Sequence, residues 1–282
     1  MIIVKLRDKL VAHDKDYFVN TDNIIYDRSN VNSGDIVVYT NRNFNEYYPN
    51  AKLNIALLME SIEMDKPYYD YILNNSEKYD IIYTWSKELL DLNKPNIYIN
   101  LCGTTWLHEN YRQIYNKTKL CSIIVSEKIY LTGHKLRHSI TDYIINNKLD
   151  IDLYGRRFNN LPQSQEPNPK SLTNGKILGL RDYMFSIAIE NCKVDYDFTE
   201  KLIDCFLSGT VPIYWGCPSI YKFFNINGIL IFNTQDECIN ILNSLSIDKY
   251  NEMLPYIKEN FEIAKKYVNF KIDENVLIKK LA

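Results

Sequence analysis

No stretch of this 282-residue chain approaches the ~20 consecutive apolar residues that a membrane-spanning helix needs. The N-terminal run Met1-Ile2-Ile3-Val4-Lys5-Leu6 is too short and too soon interrupted for a secretory signal, and it reads as a strand. No C-x-x-C pair occurs. The six cysteines, at 102, 121, 192, 205, 217 and 238, lie mostly in apolar runs and read as buried free thiols. With only four histidines and no paired ligand spacing, a structural zinc site is set aside. Positive charge is not in excess: the formal net charge is -2 and the pI about 6.1, which excludes a broad basic face for nucleic acid. Low-complexity tracts and internal repeats are also lacking. The 46% hydrophobic and 24% charged composition is that of an ordinary globular chain. These absences predict a reducing, cytoplasmic setting, in which the Asn-x-Ser/Thr matches at Asn74 and Asn116 are coincidental.

What is present is an alternation of short β-like runs with helical patterns. The first part predicts strands over Ile2–Leu6, Asp35–Tyr39, Asn54–Leu58, Ile81–Tyr83 and Asn96–Asn100. From residue 119 the alternation becomes regular. Leu120–Val125 and Met184–Ile189 are continuous apolar runs of the kind buried parallel strands require. Lys135–Asn146 has helical spacing, Ile177–Asp182 reads as a helix, and a helix over Thr199–Ser208 stops at Gly209. A polar stretch over 156–175 reads as a long surface loop. Such β-α repetition predicts an α/β fold of two Rossmann-like domains facing a cleft. The divisions drawn are 1–118 and 119–246 for the two domains, and a helical segment over 247–282 that braces the two. Open α/β sheets bind ligands at the C-terminal ends of their strands, so strand-to-helix loops hold the first candidates.

The most informative segment runs from Phe185 to Gly216. A buried strand delivers Glu190 and Asn191 to its end, a loop of seven residues containing Tyr196 follows, and a helix opens at Thr199-Glu200-Lys201. Thr199 suits an N-cap and Glu200 suits the positive end of the helix dipole, whereas Lys201 there is repelled by the same field. An anionic ligand held by both the helix start and Lys201 resolves that conflict, and a nucleoside diphosphate fits. The plainer alternative is an exposed lysine on an ordinary capped helix.

This segment resembles the donor-binding motif of the α-1,3-fucosyltransferases, glycosyltransferase family 10. Phe185, Glu190, Asn191, Thr199, Glu200, Lys201, Pro212, Tyr214, Trp215 and Gly216 fill the pattern with matching spacing. The loop departs where Asp197, beside Tyr196, stands in place of the family's usual aromatic. Upstream, Gly133-His134-Lys135-Leu136-Arg137 resembles the family's helix start, where an arginine binds the donor diphosphate. The resemblance thus implies a GT-B fold and donor contacts from Arg137, Glu190, Asn191, Thr199, Glu200, Lys201 and Tyr196. It also implies GDP-fucose as the nucleotide-sugar donor.

The match over the first hundred residues is looser. Glu60, just past the strand over 54–58, takes the position of the family's acceptor base, with Glu63 as the alternative. Gly103 and Trp106 follow a later strand and are candidates for the acceptor side. The alternative for Trp106 is core packing. The implied reaction is an inverting transfer of fucose to a hydroxyl of a glycan acceptor. Glu60 takes the proton while Lys201, Arg137 and the helix start stabilise the departing nucleotide. No Asp-x-Asp stands at a strand end, so neither metal nor other cofactor is expected. Two further readings stay open: another GDP- or UDP-sugar as donor, and a non-catalytic nucleotide- or carbohydrate-binding protein on the same fold. Oligomeric state is not legible.

Overall fold

The computed structural model describes residues 1–8, 18–101, 103–159, 172–269 and 272–282. The chain forms two compact units, Met1–Cys102 together with Asn269–Ala282, and Gly103–Val268. The divisions drawn from sequence at 118 and 246 fall inside the second unit. Side-chain bonds explain the difference. Thr105 and Trp106 are tied to Asp204, and Lys117 to Leu180, Ser208 and Thr210. Tyr250 donates to the Gly209 carbonyl at 2.9 Å.

The first unit is a six-stranded parallel sheet built from β1 (Ile2–Arg7), β2 (Ile24–Asp27), β3 (Ile36–Thr40), β4 (Leu53–Leu57), β5 (Ile81–Thr84) and β6 (Ile97–Ile99). The strands lie in the order β2-β1-β3-β4-β5-β6. Side chains alternate between faces with period two, so each strand feeds two cores. Val4, Leu6, Val38, Ile55, Leu57 and Ile81 share one apolar cluster with Ile272 and Leu277, the latter from α8 (Glu274–Leu281). Val37, Tyr39, Ala56 and Ile82 face the other way and pack with Tyr69 and Ile72 of α1 (Ile62–Asn75) and Leu89 of α2 (Lys87–Leu90). α1 is kinked at Asp65, just before Pro67, whose ring crowds the preceding turn. α8 is capped by Asp273 and anchored through Glu274 to Thr21 and Asn23. The helical segment expected over 247–282 is divided between the units: Ile247–Ala264 lies in the second and α8 in the first. The sequence pattern also passed over β2, a four-residue strand at the sheet edge.

The second unit is a five-stranded parallel sheet of β7 (Lys119–Ile124), β8 (Asp152–Tyr154), β9 (Tyr183–Ile189), β10 (Val211–Trp215) and β11 (Leu230–Ile231), ordered β11-β10-β9-β7-β8. Every residue of β9 and β10 is buried, as the unbroken apolar runs required. The helices are α3 (Thr132–Asn146), α4 (Leu172–Leu178), α5 (Glu200–Leu207), α6 (Gln235–Asn243) and α7 (Ile247–Ala264). The helix expected over 177–182 stands earlier, at Leu172–Leu178. α5 stops where expected, because Gly209 takes φ +72. The polar stretch 156–175 lies mostly outside the described residues. Cys121, Cys192, Cys205, Cys217 and Cys238 are free and buried, as the sequence implied, while Cys102 lies outside the described residues. Among the described residues, no helix is long and apolar enough to cross a membrane.

Candidate active site

β8 lies on one side of β7 and β9 on the other, so the order in which strands are added reverses between β7 and β9. This is the switch point at which open parallel sheets leave a crevice at their C-terminal ends. β7 leads into α3 and β9 into α5, so both helix N-termini open at that crevice.

α3 is drawn tightly against the end of β9. The Gly133 amide donates to the Asn191 carbonyl at 2.9 Å. A Cβ on Gly133 would lie 1.8 Å from the Glu190 carbonyl oxygen, so only glycine allows this approach. One turn on, the buried Arg137 donates Nε to the Ile189 carbonyl at 3.0 Å and Nη2 to Asn191 Oδ1 at 2.6 Å. Nη1 makes no hydrogen bond to the described residues. Burial lowers the Arg137 pKa against the pull of Glu190 and Glu200, yet a guanidinium starts so high that it stays charged.

Glu190 is 1% exposed. Its Oε1 accepts the Thr199 amide at 2.8 Å and its Oε2 the Thr199 hydroxyl at 2.6 Å. Both oxygens are thereby spent on fixing the start of α5, and Glu190 braces the site from within. Thr199 caps α5, accepting from the Lys201 amide. The Lys201 ammonium lies 3.0 Å from Thr199 Oγ1, 2.9 Å from Glu200 Oε1 and 3.5 Å from Glu190 Oε2. Burial works to lower its pKa, but the two carboxylates outweigh burial and raise it. Burial likewise works to raise the Glu200 carboxyl, and Lys201 with Lys176 overcomes this and holds it at about 2. The site therefore carries charged Lys201, Arg137 and Glu200 across the ordinary pH range, at two helix N-termini that both favour an anion.

A second layer escaped the sequence reading. Asp204 is fully buried one turn along α5. It accepts from the Thr105 hydroxyl, from the Trp106 amide at 3.2 Å and from Lys176 Nζ at 2.6 Å. Lys176 also donates to the Glu200 carbonyl at 3.2 Å and lies 5.1 Å from the centre of the Trp106 ring. The signal for Asp204 was available, since it is the acid in an otherwise apolar run Leu202–Leu207. Lys176, at the edge of a polar stretch, had none.

Of the residues singled out in sequence, Arg137, Glu190, Asn191, Thr199, Glu200 and Lys201 come together at this crevice. Tyr196 does not join their network. With φ +64, it donates its amide to Ser219 Oγ at 3.0 Å and accepts from Lys222 Nζ at 3.2 Å through its hydroxyl. Gly103 and Trp106 belong to the second unit, not to the first as drawn. A Cβ on Gly103 would lie 2.6 Å from that of Tyr267, so its close approach is to the chain's own Tyr267 and Ile203. In the first unit, Glu60 follows β4 at the C-terminal end of its sheet and is partly buried, and its carbonyl accepts from the Tyr69 hydroxyl at 2.6 Å. Glu63 is exposed on α1.

Comparison with known proteins supplies a lineage for this geometry. The model of the family described as glycosyltransferase family 10 (fucosyltransferase) C-term matches residues 114–280. The α-(1,3)-fucosyltransferase FucT of Helicobacter pylori is 38% identical over 84 residues, covering 29% of this chain and 17% of that protein. The GDP-fucose protein O-fucosyltransferase 3 of Bos taurus is 34% identical over 106 residues, covering 36% of this chain and 22% of that protein. A crystal structure of an α1,3-fucosyltransferase with GDP aligns over 96% of this chain and 91% of its own, with a TM-score of 0.56 and 16% identity. That likeness shows the fold, which is of the GT-B type.

Proposed function

The chain belongs to glycosyltransferase family 10, the fucosyltransferases, and from that premise we propose that it moves fucose from GDP-fucose to a hydroxyl of a glycan acceptor, inverting the anomeric carbon. The matches span about a fifth of the length of the Helicobacter and bovine relatives, so donor, acceptor and stereochemistry are part of the proposal. One observation carries the reading: Arg137 and Lys201 are anchored to consecutive residues, Asn191 and Glu190, beside two helix N-termini at the switch point of the sheet. A pyrophosphate there gains the open Nη1 of Arg137, the Lys201 ammonium and the amides of the α5 start.

Each residue then has a task. Lys201 and Arg137 neutralise the charge that grows on the leaving nucleoside diphosphate. Glu200, ionised throughout, accepts from a ribose diol, which frees Lys201 for phosphate. Glu190, Asn191 and Thr199 position those groups, and Tyr196 supports the nucleotide loop through its bond to Lys222. Glu60 takes the proton from the acceptor hydroxyl. Side-chain cations supply the charge that a divalent ion supplies elsewhere, so activity persists in EDTA. The bovine relative is a GDP-fucose protein O-fucosyltransferase, which favours GDP-fucose over other donors.

The test is a thermal-shift series over nucleoside diphosphates and their sugars, since a ligand at 100 times its Kd stabilises the fold by about 2.7 kcal/mol. GDP and GDP-fucose give the largest shifts, and Lys201→Ala removes most of them. A Lys201→Ala protein that keeps the full GDP shift overturns the site. Release of the nucleotide only from a different sugar donor overturns the choice of GDP-fucose.

A further inference from the structure

His134 has no task in that transfer, yet it stands in the same crevice. It is the third residue of α3 and only 2% exposed. Its Nδ1 accepts the Leu131 amide at 3.2 Å, closing the helix start in the manner of a capping box. A ring nitrogen that accepts carries no proton, so the neutral imidazole holds its hydrogen on Nε2. No described residue accepts that hydrogen. Gly133 pins the adjacent backbone to Glu190 and Asn191, and the ring of Tyr130 meets the imidazole edge-on at 4.7 Å.

The groups that act on the imidazole are Arg137 and His138 from its own helix, Lys128 from the loop after β7, and Lys201 from α5. Glu190 meets this helix start through its carbonyl oxygen, its carboxylate being held by Thr199. An N–H donor with no acceptor among the described residues, on a side chain only 2% exposed, at a helix N-terminus and near the cations of Arg137, Lys201 and Lys128, is organised for an anion. We propose that His134 is a further ligand of the donor diphosphate, giving its Nε2 hydrogen to a phosphate oxygen beside Arg137 and Lys201, and that donor binding draws a second proton onto Nδ1, which then releases the Leu131 amide. This rests on the reading of the crevice as a nucleotide-sugar site.

The coupling comes from the sign of the local field. Burial first, then Arg137, Lys128, Lys201 and His138, lower the imidazole to about 4. A diphosphate reverses that field and moves the group back toward its ordinary range near ~6.5. Between those values the complex holds a proton that the free protein lacks. A nucleotide sugar is the right probe, because both ends of its diphosphate are esterified. GDP has a terminal phosphate that titrates near ~6 on its own account.

The experiment is calorimetric titration with GDP-fucose at about pH 5.5, in buffers of differing ionisation enthalpy, using the wild type, His134→Gln and His134→Glu. Glutamine and glutamate at this helix position both keep an acceptor for the Leu131 amide, so neither variant loses the cap. Glutamine also keeps a neutral donor, while glutamate places a negative charge against the phosphate. The wild type takes up a fraction of a proton. The glutamine variant binds within about threefold and takes up none, and the glutamate variant binds about tenfold more weakly or worse. Wild-type proton uptake retained in the glutamine variant, or wild-type affinity in the glutamate variant, overturns the role of His134 and leaves the donor site standing. A wild type that does not bind GDP-fucose refutes the site itself, and this inference with it.

Discussion

The pair formed by Lys176 and Asp204 tests whether the second layer holds the start of α5 in place. Asp204 is fully buried and Lys176 has a side-chain exposure of 12%, with 2.6 Å between the charged atoms. Burial raises the Asp204 pKa even though Lys176 opposes it, so the carboxylate is costly to bury and depends on its partners. Removing one partner of a buried pair costs about 3–5 kcal/mol, because the other charge is stranded. The residual exposure of Lys176, and the Thr105 and Trp106 donors left to Asp204, place both single variants near the lower end. Lys176→Met and Asp204→Asn should each destabilise the second unit by about 3 kcal/mol. The double variant strands no charge and should cost about 3–4 kcal/mol rather than about 6, a coupling of about 2–3 kcal/mol. The assay is urea unfolding followed by tryptophan fluorescence in a Trp85→Phe background. That background leaves Trp106 and Trp215, both in the second unit, as reporters. Single effects that add to within about 0.5 kcal/mol would refute the pairing.

Three other outcomes are expected. Gly133→Ala places a Cβ where the Glu190 carbonyl stands, so α3 must withdraw; a loss of about 3 kcal/mol or more, with weakened GDP binding, is read by melting and titration. Glu60→Gln should lower kcat by about a hundredfold or more while GDP affinity is kept, whereas Glu63→Gln should leave kcat near wild type, as steady-state kinetics will measure. Lys117 donates to three carbonyls and the Thr210 hydroxyl, with no carboxylate among its hydrogen-bond partners, and burial lowers its pKa to about 7. Below that value both states are charged and the full burial cost applies. Between about 7 and the ordinary 10.5 the folded protein has released a proton that the unfolded chain keeps, so this group makes stability rise with pH. Melting temperatures from pH 7 to 9 should climb in the wild type more steeply than in Lys117→Met.

What could be read from sequence, and what could not, divides by distance along the chain. The β9–loop–α5 segment packs its strand, cap and charged residues into about thirty positions, and a continuous apolar strand followed by a capped helix leaves a local signature. Arg137 was reached through the resemblance of the Gly133–Arg137 helix start to the family pattern, with no local signature of its own. The brace was only half legible: Asp204 stands out as the acid in an apolar run, but its partner Thr105 lies 99 positions away and nothing pairs the two in sequence. A brace over 247–282 was expected from sequence, but not that α8 alone returns to the first unit, because its anchors at Thr21 and Asn23 join opposite ends of the chain. Glu190 and Asp204 make the chemical consequence plain. Two carboxylates, each buried to within 1% exposure and each with its oxygens occupied, were read differently only because Glu190 is one of the positions that fill the family pattern and Asp204 is not. A motif residue that is buried with every oxygen occupied is therefore better understood as structure that the reaction requires. On the proposed reading, an unspent atom marks two of the residues that would meet ligand, Arg137 through Nη1 and His134 through its donor edge.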